Sequence, residues 1–122
     1  MSSSARSVFV FGIYLLLIGL GFLIVPNTML GLFGIPATSE PWIRVVGMLL
    51  LLLAFYYTQA ARVELTDFFR WTVPARASVI VFFAAFVLLG YAPAALIMFG
   101  VVDLLGAIWT WLSLRSSKTA EA

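Results

Sequence analysis

The stretch VFVFGIYLLLIGLGFLIV, residues 8–25, is 18 residues long and contains no charged side chain. One helical crossing of a bilayer's hydrocarbon core, about 30 Å thick, takes roughly 20 residues. Three further apolar runs follow it, and together the four runs predict helices at residues 8–25, 42–60, 75–92 and 94–114. We therefore expect an all-α, polytopic membrane protein: a bundle of four transmembrane helices with short loops, forming a single membrane domain over residues 1–122.

The amino-acid composition supports a lipid environment and excludes several kinds of site. Hydrophobic residues make up 64% of the chain, whereas the apolar share of a soluble domain is nearer half. The sequence has no cysteine and no histidine, which excludes disulfides, thiolate metal sites, histidine-ligated haem and a Ser-His-Asp triad. We therefore expect no metal and no cofactor. We also expect no nucleic-acid partner, because the basic residues are few and flank the apolar runs, where they determine topology.

The first run resembles a secretory signal in one respect, since Arg6 precedes it. Its length exceeds that of a usual signal core, and residues 26–28 form a poor cleavage site, so we expect a retained first helix. The longer connections, residues 26–41 and 61–72, mix apolar or aromatic side chains with turn-forming or charged ones, which is typical of segments lying at the membrane surface. Pro74 is predicted to precede the third helix, and the polar tail from residue 115 is predicted to fray.

Lysine and arginine counts predict the orientation, because cytoplasmic flanks of membrane helices are rich in both. Four crossings place both termini on one side. That side carries Arg6, Arg62, Arg70, Arg76, Arg115 and Lys118, and the opposite side carries Arg44. Both termini are therefore predicted to be cytoplasmic.

Asp103 is the one charged residue in the middle of an apolar run. At about 1.5 Å per helical residue it lies near the bilayer midplane, where an unpaired carboxylate costs several kcal/mol. The carboxyl is therefore expected to be protonated, hydrated or paired with a cation, for which Arg44 is the first candidate and Arg76 the second. Such a pair ties helices together, grips a ligand or proton, or contacts a partner subunit, and the sequence leaves these roles open.

Helical spacing collects small and hydroxylated residues on one face of the second predicted helix and one face of the fourth. The faces consist of Arg44, Gly47, Leu51, Ala54, Thr58 and Ala61, and of Gly100, Asp103, Ala107, Thr110 and Leu114. Faces of this kind let membrane helices approach closely, so we expect both to point into the bundle. The candidate pocket lining is Gly47, Tyr57, Thr58, Gly106 and Thr110, with Tyr14, Tyr56 and Gln59 as further candidates.

Seven short stretches, taken in order, carry a resemblance to a known group of membrane proteins. They are residues 15–26, 30–34, 44–47, 56–57, 60–62, 69–76 and 99–110, and their charged positions include Arg44, Arg76 and Asp103. In this order they resemble the small four-helix bacterial membrane proteins grouped as BphX-like and DoxX-like. The resemblance implies a four-helix layout and the bacterial inner membrane. Some members are associated with aromatic-compound degradation or quinone-linked oxidoreductase complexes, but the group supplies no established activity.

Three functions fit these observations. The preferred prediction is an accessory or interaction subunit of a membrane complex, not an enzyme, because catalytic side chains are lacking. The first alternative is a small homo-oligomeric transporter that exchanges protons for hydrophobic or aromatic compounds through Asp103. The small multidrug exporters of this size use a glutamate in their first helix, and residues 8–25 contain no acid. The second alternative is a membrane subunit that binds a quinone or another aromatic ligand. The expected partners are the lipid bilayer and a homo-oligomer or larger complex.

Overall fold

The protein is all-helical over the part described by the structure, a computed structural model that covers residues 1–121 and the side chains of residues 1–116. Its helices are α1 Ser3–Ile24, α2 Pro26–Leu32, α3 Trp42–Arg62, α4 Thr66–Leu88 and α5 Leu96–Glu121. All except α2 are long and apolar enough to cross a membrane. The prediction of an all-α bundle with four spans is confirmed. The side chain of Lys118, which entered the orientation prediction, lies outside the described residues, as do the other side chains at the end of the predicted tail.

Short polar and turn-forming residues set the helix ends. Ser2 caps α1, because its hydroxyl accepts a hydrogen bond from the backbone nitrogen of Ala5 at 3.1 Å. Pro26 follows the last turn of α1 and also occupies the first position of α2, where a missing N–H carries no penalty. Gly90 has a φ of 80° after α4, the left-handed conformation in which helices commonly end.

The structure shows helix in both of the segments that were predicted to lie at the membrane surface. Residues 26–32 form the short helix α2, and residues 66–72 belong to α4, which continues through Pro74. Proline both starts helices and is tolerated inside membrane helices, so its position alone does not mark a boundary. Arg76 consequently lies near the middle of α4, and not at the start of a span as the predicted bounds 75–92 placed it.

α1 and α3 form the closest helix pair, and glycines allow their approach. A Cβ on Gly47 would lie 2.6 Å from the backbone nitrogen of Leu23 and 2.8 Å from the carbonyl oxygen of Gly19. One on Gly12 would lie 2.9 Å from Cγ2 of Thr58. Small residues at such crossings let membrane helices pack backbone to backbone. The sequence prediction that Gly47 and Ala54 face the bundle agrees with their burial.

α4 and α5 form the second pair, which meets the first mainly through α1 and α5. α3 and α4 contact each other little, although only residues 63–65 connect them. The buried core lies at the end of the bundle that holds the N-terminus, where Val8, Tyr57 and Phe69 pack together. At the opposite end α3 and α4 diverge, and a cleft opens between them.

Candidate functional site

The cleft between α3 and α4 encloses a cavity of about 820 Å³. Its walls are almost entirely apolar and include many aromatic rings. The lining residues from α4 and α5 that define it are Ala75, Arg76, Val79, Phe82, Phe83, Phe86, Leu96, Phe99 and Asp103, and those from α3 are Ile43, Val46, Leu50, Leu53 and Tyr57. Phe82 keeps 59% of its surface exposed, so the cavity is open sideways, on the face where acyl chains would lie.

The polar side chains of the cavity gather at one end. Asp103, Arg76, Tyr14 and Tyr57 all line it, and Asp103 interacts electrostatically with each of the other three. Asp103 is half-buried and has no hydrogen-bond partner within the described residues. Its carboxyl is therefore the acceptor that a molecule entering this cavity meets.

Arg76 is held in place by hydroxyl and carbonyl oxygens. It is only 2% exposed, and its Nη2 donates to Thr110 Oγ1 at 2.7 Å and to Thr72 Oγ1 at 2.9 Å. Its Nε donates to the carbonyl oxygen of Thr72 at 3.3 Å. The guanidinium also lies over the ring of Phe11, 4.8 Å from the ring centroid, a cation–π distance. These contacts join α4 to α5 and α1.

Thr110, which accepts from Arg76, also forms a hydrogen bond with α1. Its Oγ1 lies 2.7 Å from Ser7 Oγ, and Ser7 donates its single hydroxyl proton to the carbonyl oxygen of Ser4 at 2.7 Å. Thr110 is therefore the donor to Ser7 while it accepts from Arg76. The result is a continuous series of hydrogen bonds from α4 through α5 to α1, buried at every step.

The second terminal nitrogen of Arg76 is left without a partner. Nη1 is buried and makes no hydrogen bond, which costs free energy in an apolar environment. It occupies space that Gly106 leaves free, since a Cβ there would lie 3.1 Å from Nη1 and 2.8 Å from the ring of Phe11. The positive charge of Arg76 thus stands at the polar end of the cavity, with the Asp103 carboxyl as the only acid among the lining residues.

Arg44 does not make the predicted contact with Asp103. Its side chain is exposed, and Nη1 donates to the carbonyl oxygen of Leu23 in the last turn of α1. That carbonyl belongs to a helix end, which has no partner of its own and favours a cation. Within the described residues no guanidinium nitrogen lies within 4.0 Å of the Asp103 carboxyl. Arg76, the second candidate, shares the cavity with Asp103 without forming an ion pair.

Of the predicted pocket residues, only Tyr57 and the further candidate Tyr14 line the cavity. Gly47 lies at the α1–α3 crossing, and Gly106 packs against Phe11 and Arg76. Thr58 donates to carbonyl oxygens of its own helix, and Thr110 bonds to Arg76 and Ser7. Gln59 accepts from Arg62 at 3.5 Å, and Tyr56 is 60% exposed.

Sequence reasoning missed Ser7 and Phe11, the two α1 residues that complete the surroundings of Arg76. The signal was available, because Ser4, Ser7 and Phe11 are spaced three and four residues apart and share one face of a helix. Hydroxyl groups in membrane helices commonly form hydrogen bonds with a neighbouring helix. The hydroxyls on this face of α1 therefore indicated a polar partner on another helix of the bundle.

Outside the spans, Glu64 fixes the N-terminus to the α3–α4 connection. Its two carboxyl oxygens accept from the backbone nitrogen and the hydroxyl of Ser2, each at 2.6 Å. Glu64 has a φ of 55°, which bends the connection tightly. These hydrogen bonds favour the carboxylate and lower the pKa of Glu64 below its usual value.

Comparisons of the chain with models of known protein families, with curated proteins and with solved structures find no match. The resemblance to the BphX-like and DoxX-like groups therefore stays a prediction.

Proposed function

We propose that this membrane protein binds a hydrophobic ligand, a quinone or another aromatic compound, in the cavity between α3 and α4. The observation that carries the proposal is a cavity of about 820 Å³ with apolar and aromatic walls and a small polar cluster at one end. Ligand sites typically enclose about 300–1,000 Å³, with mostly apolar walls and a few placed polar groups. The proposal is one of binding rather than conversion, because the chain has no histidine or cysteine to serve as a nucleophile or a metal ligand.

The cleft's sideways opening supports a ligand that arrives through the bilayer. α3 and α4 contact each other little, and Phe82 and Phe86 remain partly exposed along the gap. A molecule dissolved among the acyl chains reaches the polar cluster without crossing water. The accessory-subunit and transporter functions stay predictions; a ligand-binding subunit is compatible with the first of them.

Photo-crosslinking in lipid nanodiscs tests the proposal. A dodecylbenzene with a diazirine on its chain is irradiated with the protein, and the labelled residues are located by mass spectrometry. We expect label on the cavity-facing residues of α3 and α4, and its loss in Val79→Trp, which fills the cavity. Val81→Trp is the matched control, because Val81 lies outside the lining residues, 67% exposed on the same helix. Label spread evenly over the lipid-facing surface, unchanged by Val79→Trp, would refute ligand binding.

We further propose that the chain lies in a bacterial inner membrane with both termini cytoplasmic. Four spans put the termini on one side, and Arg6, Arg62, Arg70 and Arg115 flank the spans there, against Arg44 on the other. The corrected position of Arg76 inside α4 removes one charge from the count without changing its sign. Reporter fusions at each terminus, one active only in the cytoplasm and one only outside it, test this orientation.

A further inference from the structure

If the proposed function holds, the charged residues of the cavity limit which charge the ligand's polar head group can carry. Arg76 and Asp103 are the two charged residues among its lining, and they attract each other electrostatically. The formal charges of the two groups cancel. In an apolar medium charges interact strongly over several ångströms. Arg76 attracts an anion that Asp103 repels, and the reverse holds for a cation, so neither ion gains a net attraction that would offset its desolvation.

Among neutral ligands, the free hydrogen-bonding capacity of the cavity's polar groups favours some over others. Arg76 is already bound to Thr72 and Thr110 and is 2% exposed. Asp103 is half-buried, faces the cavity and has no hydrogen-bond partner within the described residues. The hydroxyls of Tyr14 and Tyr57 also line the cavity and can donate or accept, whereas a carboxylate can only accept. Asp103 is therefore the group that requires a donor from the ligand.

The apolar walls favour a particular ligand shape, but they add little affinity. Lipid chains offer an apolar molecule much the same environment as leucine and phenylalanine side chains do. Aromatic rings at Phe82, Phe83, Phe86 and Tyr57 line both sides of the cleft, and rings gain from edge and offset contacts with other rings. A flat aromatic body is favoured on that ground, and the hydrogen bond to Asp103 decides between related molecules.

We infer that the cavity selects a neutral aromatic ligand with a hydroxyl group, a membrane-soluble phenol, whose O–H donates to the Asp103 carboxyl. A carboxylic acid anion and an ammonium of the same size are disfavoured, because the cavity offers no net charge to offset their desolvation. A quinone presents only acceptors to Asp103, so its reduced, hydroxyl-bearing form binds in preference to the oxidised one.

The test is competition against the diazirine label in nanodiscs by four molecules with the same alkyl chain: dodecylphenol, dodecylbenzoate, dodecylbenzylammonium and dodecylbenzene. Amounts are expressed per lipid, so that partitioning into the bilayer cancels. Dodecylphenol is expected to compete at roughly one-tenth of the concentration of dodecylbenzene or less, the value of one hydrogen bond to a charged group. Both ions should compete less well than dodecylphenol.

Two variants at one position separate charge from hydrogen bonding. Asp103→Leu removes the acceptor and should abolish the lead of dodecylphenol over dodecylbenzene. Asp103→Asn leaves the charge of Arg76 unbalanced and should move dodecylbenzoate ahead of dodecylbenzylammonium. If either ion leads the ranking in the unaltered protein, or if the lead of dodecylphenol survives Asp103→Leu, the inference is wrong although ligand binding stands. If the label never marks the cavity, the proposed function itself fails.

Discussion

Replacing Thr110 by valine, which has nearly the same shape, tests whether the buried hydrogen-bond series stabilises the bundle. The substitution removes the acceptor of Arg76 Nη2 at 2.7 Å and the donor to Ser7 Oγ at 2.7 Å. A hydrogen bond to a charged group contributes about 1.5–3 kcal/mol, and one between neutral groups on membrane helices about 0.6 kcal/mol. We therefore expect the free energy of unfolding to fall by about 2–3.5 kcal/mol.

Thr58→Val is the matched control, because the Thr58 hydroxyl bonds only to carbonyls of its own helix, Ala54 and Phe55. Such a bond contributes little to helix stability, and a change within about 0.5 kcal/mol is expected. Unfolding is followed by circular dichroism as SDS is added to the protein in mixed micelles. Ser7→Ala, which keeps the bond from Arg76, should cost only the smaller, neutral share. Equal losses for Thr110→Val and Thr58→Val would show that the series adds no stability.

Three further predictions concern the helix contacts and the charged residues. Gly47→Ala should lower the free energy of unfolding by about 1–3 kcal/mol, because its Cβ would lie 2.6 Å from backbone; Gly31→Ala, with nothing within 4 Å, should not. In a double-mutant cycle of Arg44→Met and Asp103→Asn, the two losses should add to within about 0.5 kcal/mol, whereas a coupling of several kcal/mol would restore the ion pair expected from the sequence. Glu64→Gln should lower the melting temperature at neutral pH. The folded carboxyl has a lowered pKa, so its contribution is complete above the unfolded pKa of about 4.3 and disappears as the pH falls through the folded value. A difference between the two proteins that stays constant on acidification would contradict this.

The spans were predictable because the bilayer imposes both a length and a composition. The run at residues 8–25 lies inside α1 except for its last residue, which caps the helix, and residues 42–60 lie inside α3. The start of α4 was not predictable from Pro74, because a proline near a helix start and a proline inside a membrane helix look the same in sequence. Asp67 and Arg70 before it are compatible with either a surface segment or the first turns of a span.

Of the residues that line the cavity, the sequence pointed to the polar ones, Asp103, Arg76, Tyr14 and Tyr57, but not to the pairing of the charged groups or to the apolar walls. The depth of Asp103 and the candidacy of Arg76 follow from position along the helices. Which cation approaches which acid depends on how the helices rotate and on competing acceptors. Arg44 donates to such an acceptor, the carbonyl oxygen of Leu23 at the end of α1. Every helix end presents unpaired carbonyl oxygens whatever its sequence. The hydroxyl of Thr110, and not a carboxylate, is the hydrogen-bond partner of Arg76 beyond its own helix, and Thr110 in turn bonds to Ser7.

The position of Arg76 also bears on how the protein is made. An arginine at the centre of an isolated span costs about 2.5–3.5 kcal/mol on insertion, and Thr72 is the only acceptor that α4 itself offers to Arg76. Thr110 leaves the ribosome more than thirty residues after it, as the sequence numbering shows. α4 therefore gains its full stability in the bilayer only once α5 has been synthesised, and the two enter most favourably as a hairpin. A nascent chain released between them would leave the guanidinium exposed to lipid, a feature by which a quality-control protease could recognise it.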